Sequence, residues 1–146
     1  PSIDDLTSAL AIARTPDDDL VEECARRLLD DGCAIAVVSA GARGAYVVSA
    51  GADRLAAGGA ALAAVRSTWS STSEWVAAAE PRLVVSTTGA GDAASAGLIF
   101  GLAHGAGIRR ATRVAARFAA ATIEGKRPSA EEAGRWAAEL AAAGLD

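Results

Sequence analysis

Three features of the sequence predict an α/β fold with a mixed sheet. A capped helical pattern runs into a short, wholly apolar segment, two strand patterns are separated by one glycine turn, and a later strand pattern passes through glycines straight into a helix. At 146 residues, 51% hydrophobic and 22% charged, the chain can bury a sizeable core, which excludes disorder as the main reading. A formal net charge of −4 argues against a protein that grips nucleic acid through a basic face. No apolar run reaches the roughly 18 to 20 residues needed to cross a bilayer, so neither a membrane nor a nucleic acid is an expected partner and a cytoplasmic location is expected.

Thr15-Pro-Asp-Asp-Asp-Leu opens the first helix, with Thr15 as N-cap, Pro16 at the first helical position and carboxylates toward the positive end of the dipole. Leu20, Val21, Cys24, Leu28 and Leu29 recur at helical spacing, and Gly32 suits the residue after a helix stopping at Asp31. Ala34-Ile-Ala-Val-Val then reads as a strand covered on both faces, and Ala45-Tyr-Val-Val-Ser as a second, antiparallel to it because the turn between them is short. Between Ala50 and Ser73 the pattern degrades. Leu55 to Val65 fits a small-residue helix broken at Gly58-Gly59, and Ser67 to Ser73 a polar loop carrying Trp69.

Arg82-Leu-Val-Val-Ser is a further short strand pattern. Thr87-Thr-Gly-Ala-Gly-Asp leads from it into a small-residue helix over 93–103. A helix over 108–123 follows, with Arg109, Arg110, Arg113 and Arg117 most simply a solvated face. Ser129-Ala-Glu-Glu makes a capping box for the last helix. Without an internal repeat or a long linker, the chain reads as one structural unit. Cys24 and Cys33 are too few and too casually placed for a disulfide framework or metal site, and both fit buried free thiols. Pro1 at the start and the lack of any methionine suggest a piece of a longer polypeptide.

The chemistry lies in Val84-Val-Ser-Thr-Thr-Gly-Ala-Gly-Asp. Small residues at a strand-to-helix turn leave successive amides free, let a phosphate approach the backbone, and set it against the positive end of a helix dipole. A positive φ is expected at Gly91, where a branched side chain would crowd the phosphate. Gly-x-Gly-Asp alone equally describes a glycine turn whose Asp complements the dipole. A carboxylate beside an anion site would repel the phosphate unless it accepted a proton from an attacking hydroxyl, which points to phosphoryl transfer. Neither a Walker A loop nor a dinucleotide fingerprint fits, because no Gly-Lys-Ser/Thr follows and Ala94 replaces the third glycine.

Ser86-Thr-Thr-Gly-Ala-Gly-Asp-Ala followed by Ala96-Gly-Leu resembles the second signature of the ribokinase/phosphofructokinase-B family of carbohydrate kinases. Pro1-Ser-Ile-Asp-Asp-Leu, Val37-Val-Ser-Ala-Gly-Ala-Arg-Gly-Ala-Tyr and Trp75-Val-Ala-Ala-Ala-Glu-Pro resemble other family segments in the same order. The resemblance implies the C-terminal half of a ribokinase-like α/β/α sandwich that transfers phosphate from ATP to a sugar or sugar-phosphate hydroxyl. Asp92 would be the base, and the amides of Gly89, Ala90 and Gly91 the anion hole. Ser39 and Gly41 would border the ATP phosphates and ribose, Thr88 would join the nucleotide contacts, and the stretch from Ala119 through Gly125 would flank adenine.

Mg2+ is the implied metal, with Asp5 as a candidate ligand. Ser2 and Asp5 stand where the family usually has Asn and often has Glu, which changes the geometry around the metal. Ser86 replaces an Asp that holds a monovalent cation in ribokinase-type members, and Ser-Thr here resembles the branch acting on phosphorylated hexoses. The family is about twice this long. Its N-terminal half supplies the sugar contacts and the lid through which a homodimer would form, so this chain alone is expected to be inactive. A nucleoside kinase of the same fold, and a relative that binds nucleotide without turnover, are the alternatives.

Overall fold

The structure, a computed structural model, describes residues 1–144. The chain divides into two compact units, Pro1–Val76 and Ala77–Asp146, where the sequence reads as one.

The first unit contains α1 (Ile3–Ala9), α2 (Asp18–Asp30), β1 (Ile35–Ser39), a 3-10 turn (Gly41–Arg43), β2 (Ala45–Ser49), α3 (Ala52–Ala57), α4 (Ala60–Trp69) and β3 (Ser73–Val76). Its sheet has the order β1-β2-β3 and is antiparallel throughout, with Val37 opposite Val47 and Tyr46 opposite Trp75. One parallel bridge joins Ser2 to Ser39. Asp17, rather than Thr15, caps α2, because its carboxylate reaches the Leu20 amide at 2.8 Å. Gly32, at φ 107°, takes the residue out of the helix as expected.

The apolar stripe of α2, Leu20, Val21, Cys24 and Ala25, packs with Ala36, Val38, Tyr46 and Val48 of the sheet and with Ile3 and Leu6 of α1. In β1 only Ala36 and Val38 are buried and the alternate residues are half-buried, so its cover is less complete than a strand packed on both faces would have. Cys24 is buried but Cys33 is exposed, because Cys33 falls in the turn beyond α2 rather than in the strand. The helical break at Gly58-Gly59 is present. Trp69, however, closes α4 and is 1% exposed instead of lying in a loop, since burying so large an indole outweighs the loop preference of the serines and threonines around it.

The second unit holds α5 (Ala90–Ala103), α6 (Ile108–Ile123) and α7 (Ala130–Ala142). Val114 and Phe118 of α6 cluster with Ala133 and Leu140 of α7, and the Phe118 and Trp136 rings meet edge to face at 5.7 Å. The arginines of α6 are less solvated than expected. Arg109 is exposed but Arg110, Arg113 and Arg117 are half-buried, Arg117 pairs with Glu139 at 2.6 Å, and the Nε of Arg113 is buried. Ser129 and Glu132 form the expected capping box on α7. Replacing Ser129 with alanine should cost about 1 kcal/mol of stability, measured by chemical unfolding.

Residues 82–86 are not a strand. A strand needs a partner for its backbone groups, and the described residues of this unit form none. The Val85 and Ser86 amides donate instead to the Ile123 carbonyl at 2.8 and 3.2 Å, and Leu83, Val84 and Val85 are 65%, 65% and 61% exposed. Among the described residues no helix is long and apolar enough to cross a membrane.

Candidate functional site

In the second unit the loop 86–89 turns into α5 at Gly89, which takes φ 81°, a left-handed conformation that glycine adopts at little cost. The positive φ therefore falls on Gly89, not on Gly91. Gly91 is already the second residue of α5, and its missing side chain leaves open space with no protein atom within 4 Å. A Cβ added at Gly89 would stand 3.9 Å from Thr122 Cγ2, an ordinary contact. The cost of Gly89→Ala should therefore come from the backbone alone, at about 1–2 kcal/mol in an unfolding titration.

No side chain caps α5. The Ala90 amide bonds the Thr87 carbonyl at 3.2 Å and the Ala93 amide the Gly89 carbonyl at 2.9 Å. Between them the Gly91 and Asp92 amides have no acceptor among the described residues. Thr88 is tied to the turn through its amide, which donates to Ser86 Oγ at 3.2 Å. The Asp92 side chain is in the first turn, exposed, with no hydrogen bond or ion pair among the described residues. An open helix start with two free donors and a free carboxylate can receive an anion and a proton side by side.

The same unit brings the expected adenine-flanking stretch to this loop. Ala119 lies in the last turns of α6, half-buried. Gly125, at φ 77°, follows the helix end and faces the Val85 side chain, 3.7 Å from where a Cβ would stand. The Arg82 amide donates to Glu124 Oε1 at 2.6 Å, and Lys126 Nζ contacts Glu124 Oε2 at 2.5 Å. Lys126 and the Arg82 amide together hold the Glu124 carboxyl below its ordinary value. Thr122 and Glu124 enter the sequence reading only as members of the Ala119–Gly125 stretch, with no role of their own, and a carboxylate at a helix C-terminus is the one signal that could have marked the latter.

In the first unit Ser2, Asp5 and Ser39 are neighbours, because the Ser39 amide donates to the Pro1 carbonyl at 3.0 Å beside the Ser2–Ser39 bridge. Gly41 begins the adjoining turn at φ 60°, with open space where a side chain would be. Asp5 closes a capping box on α1. Its Oδ2 accepts the Ser2 hydroxyl at 2.7 Å, which together with the Ser2 amide holds this carboxyl below its ordinary range. Among the described residues no three His, Cys, Asp or Glu side chains cluster as metal ligands.

The profile of the pfkB family carbohydrate kinases matches residues 4–133. The chain is similar to the probable sugar kinase from Rhizobium etli CFN 42, at 22% identity over 99% of this chain and 35% of that one, with a TM-score of 0.64. Escherichia coli phosphofructokinase-2, solved in complex with substrates and products, is 24% identical over 97% of this chain and 40% of its own, at 0.65. The Burkholderia thailandensis nucleoside kinase in complex with inosine is 20% identical over 96% of this chain and 39% of its own, at 0.60. No curated protein matches the chain. The chain thus spans 35% to 40% of the length of these three structures, and the likeness establishes the expected ribokinase-like α/β fold.

Proposed function

The chain belongs to the pfkB family of carbohydrate kinases, and from that premise we propose that it is the nucleotide-binding and catalytic-base half of an ATP-dependent sugar or sugar-phosphate kinase. The observation that carries the reading is the uncapped start of α5, where the free Gly91 and Asp92 amides lie beside the unengaged Asp92 carboxylate. Phosphoryl transfer asks a protein mainly for positioning and for charge stabilisation. The Gly89-Ala90-Gly91 turn takes the transferring phosphate, through the free Gly91 amide and the Gly89 amide first, with the α5 dipole behind them. The Ala90 amide, which bonds the Thr87 carbonyl at 3.2 Å, would have to share its hydrogen. Asp92 accepts the proton of the attacking hydroxyl. Ser39 and Gly41 border the phosphates and ribose, Thr88 contacts the nucleotide, and the stretch from Ala119 to Gly125 flanks the base.

The residues present fit a nucleotide better than a dedicated metal cage. One oxygen of Asp5 is committed to Ser2, so a Mg2+ ion there would have Asp5 as one ligand and take the rest from phosphate oxygens and water. When bound, the ion would neutralise charge on the phosphates. Ser86-Thr87 at the head of the loop favours a phosphorylated hexose as acceptor over a free sugar or a nucleoside.

Titration calorimetry of this chain with ATP, followed by a substrate panel on the complete polypeptide, tests the assignment. ATP should bind weakly here without sugar turnover, because on this reading the contacts that orient the hydroxyl come from outside residues 1–146, and such orientation is worth several kcal/mol. Robust sugar phosphorylation by the chain alone would refute the half-site reading. Turnover of nucleosides only would move the acceptor class, and ATP binding without any turnover by the complete polypeptide would leave a nucleotide-binding relative.

A further inference from the structure

Glu124 stands where local physics disfavours a carboxylate. It is the C-cap of α6, at the end of the helix whose free carbonyls favour a cation, and its side chain is only 13% exposed. A carboxylate held there needs donors from elsewhere, and it has two. Oε1 accepts the backbone amide of Arg82 at 2.6 Å, and Oε2 meets the Lys126 ammonium at 2.5 Å. Lys126 offsets the charge, so the clamp adds little repulsion to an anion bound nearby.

The segment it holds has few means of holding itself. Leu83, Val84 and Val85 are largely exposed, and among the described residues no strand of this unit pairs with them. What fixes residues 82–86 is the end of α6. Glu124 takes the Arg82 amide, Ile123 takes the Val85 and Ser86 amides, and Gly125 lies against Val85. Thr87 begins immediately after this anchored stretch, and its carbonyl receives the Ala90 amide that starts α5.

We infer that Glu124 is a positioning residue for the phosphate loop, its carboxylate clamping Arg82 so that residues 87–92 face the nucleotide-flanking end of α6 in one geometry. The inference deepens the kinase reading and rests on it for the identity of the ligand, though not for the clamp. Glu124 touches no reacting atom in this account.

Hydrogen exchange read by mass spectrometry on residues 1–146 without nucleotide, paired with ATP titration, tests both parts. Loss of a charge-assisted hydrogen bond should speed exchange at Arg82, Val85 and Ser86 about tenfold in Glu124→Ala, with exchange in α7 unchanged. Glu124→Gln keeps an acceptor for the Arg82 amide and should restore much of that protection. The ATP dissociation constant should rise about tenfold in the alanine variant and less in the glutamine one. Unchanged exchange at Arg82 and Val85 in a folded Glu124→Ala protein would overturn the clamp.

If Glu124→Ala unfolds, Lys126→Ala decides, since it loosens the carboxylate without removing it. Faster exchange confined to 82–92 supports the clamp, and no change there overturns it. Exchange that responds as expected in a chain that binds no ATP would keep the clamp and remove the kinase reading.

Discussion

Asparagine in place of Asp92 should lower kcat of the complete kinase by about 10²- to 10⁴-fold, the usual range for losing a general base. The substitution keeps the shape and the helix start while removing the proton acceptor. ATP affinity should survive or rise, because a negative charge leaves the neighbourhood of the phosphates. The competing account makes Asp92 a first-turn carboxylate that only complements the dipole of α5. On that account the loss is about 0.3 to 1 kcal/mol of stability, with turnover nearly intact. Asp92 lies in the first turn of α5, exposed and without a hydrogen bond among the described residues, a placement that both accounts share, so the choice rests on the measurement. Measuring kcat and the thermal midpoint on one variant separates the two accounts, since they place the damage in different quantities.

Legibility in the sequence followed the range of the forces involved. Gly32 after α2 and the Ser129–Glu132 box are set by groups three or four residues apart, and both could be read directly. β2 was bounded correctly because the glycine-containing turns on either side of its apolar run are also local. Residues 82–86 misled for the opposite reason. Leu83, Val84 and Val85 in succession satisfy a buried strand, but a strand exists only with partners, and the described residues of its unit supply none. Trp69 was misplaced because the serines and threonines around it suggest a loop, whereas burying a large indole outweighs their weak helix preference. At the site, the glycine loop and Asp92 were visible as a contiguous motif. Glu124 was not, because its partner Arg82 lies 42 residues away and only the fold brings the two together.

Valine at Gly101 should destabilise the second unit by about 3 kcal/mol, at the upper end of the usual cost of overpacking. A Cβ added at Gly101 would lie 2.6 Å from Ala111 Cβ and 2.7 Å from Ala111 Cα, and one at Gly97 would lie 2.8 Å from Ala115 Cα. These two glycines, one turn apart on α5, meet two alanines one turn apart on α6, so the helices touch nearly backbone to backbone. A flexible side chain could yield to an intruding methyl. A Cα in the middle of a helix cannot, so α5 and α6 must separate and the contacts around Phe118 are lost with them. Glycine inside a helix costs roughly 1 kcal/mol relative to alanine, so a propensity argument alone would forecast that Gly101→Ala stabilises the protein. The clash reverses that sign. Gly134 in α7 provides the control, because a Cβ there meets nothing within 4 Å and Gly134→Ala should stabilise by about 0.5 to 1 kcal/mol. Gly97→Ala and Gly101→Ala combined should cost less than their sum, since one separation of the helices relieves both contacts. Chemical unfolding of these five variants measures the differences, and a stabilised Gly101→Ala would show that α5 and α6 do not approach this closely.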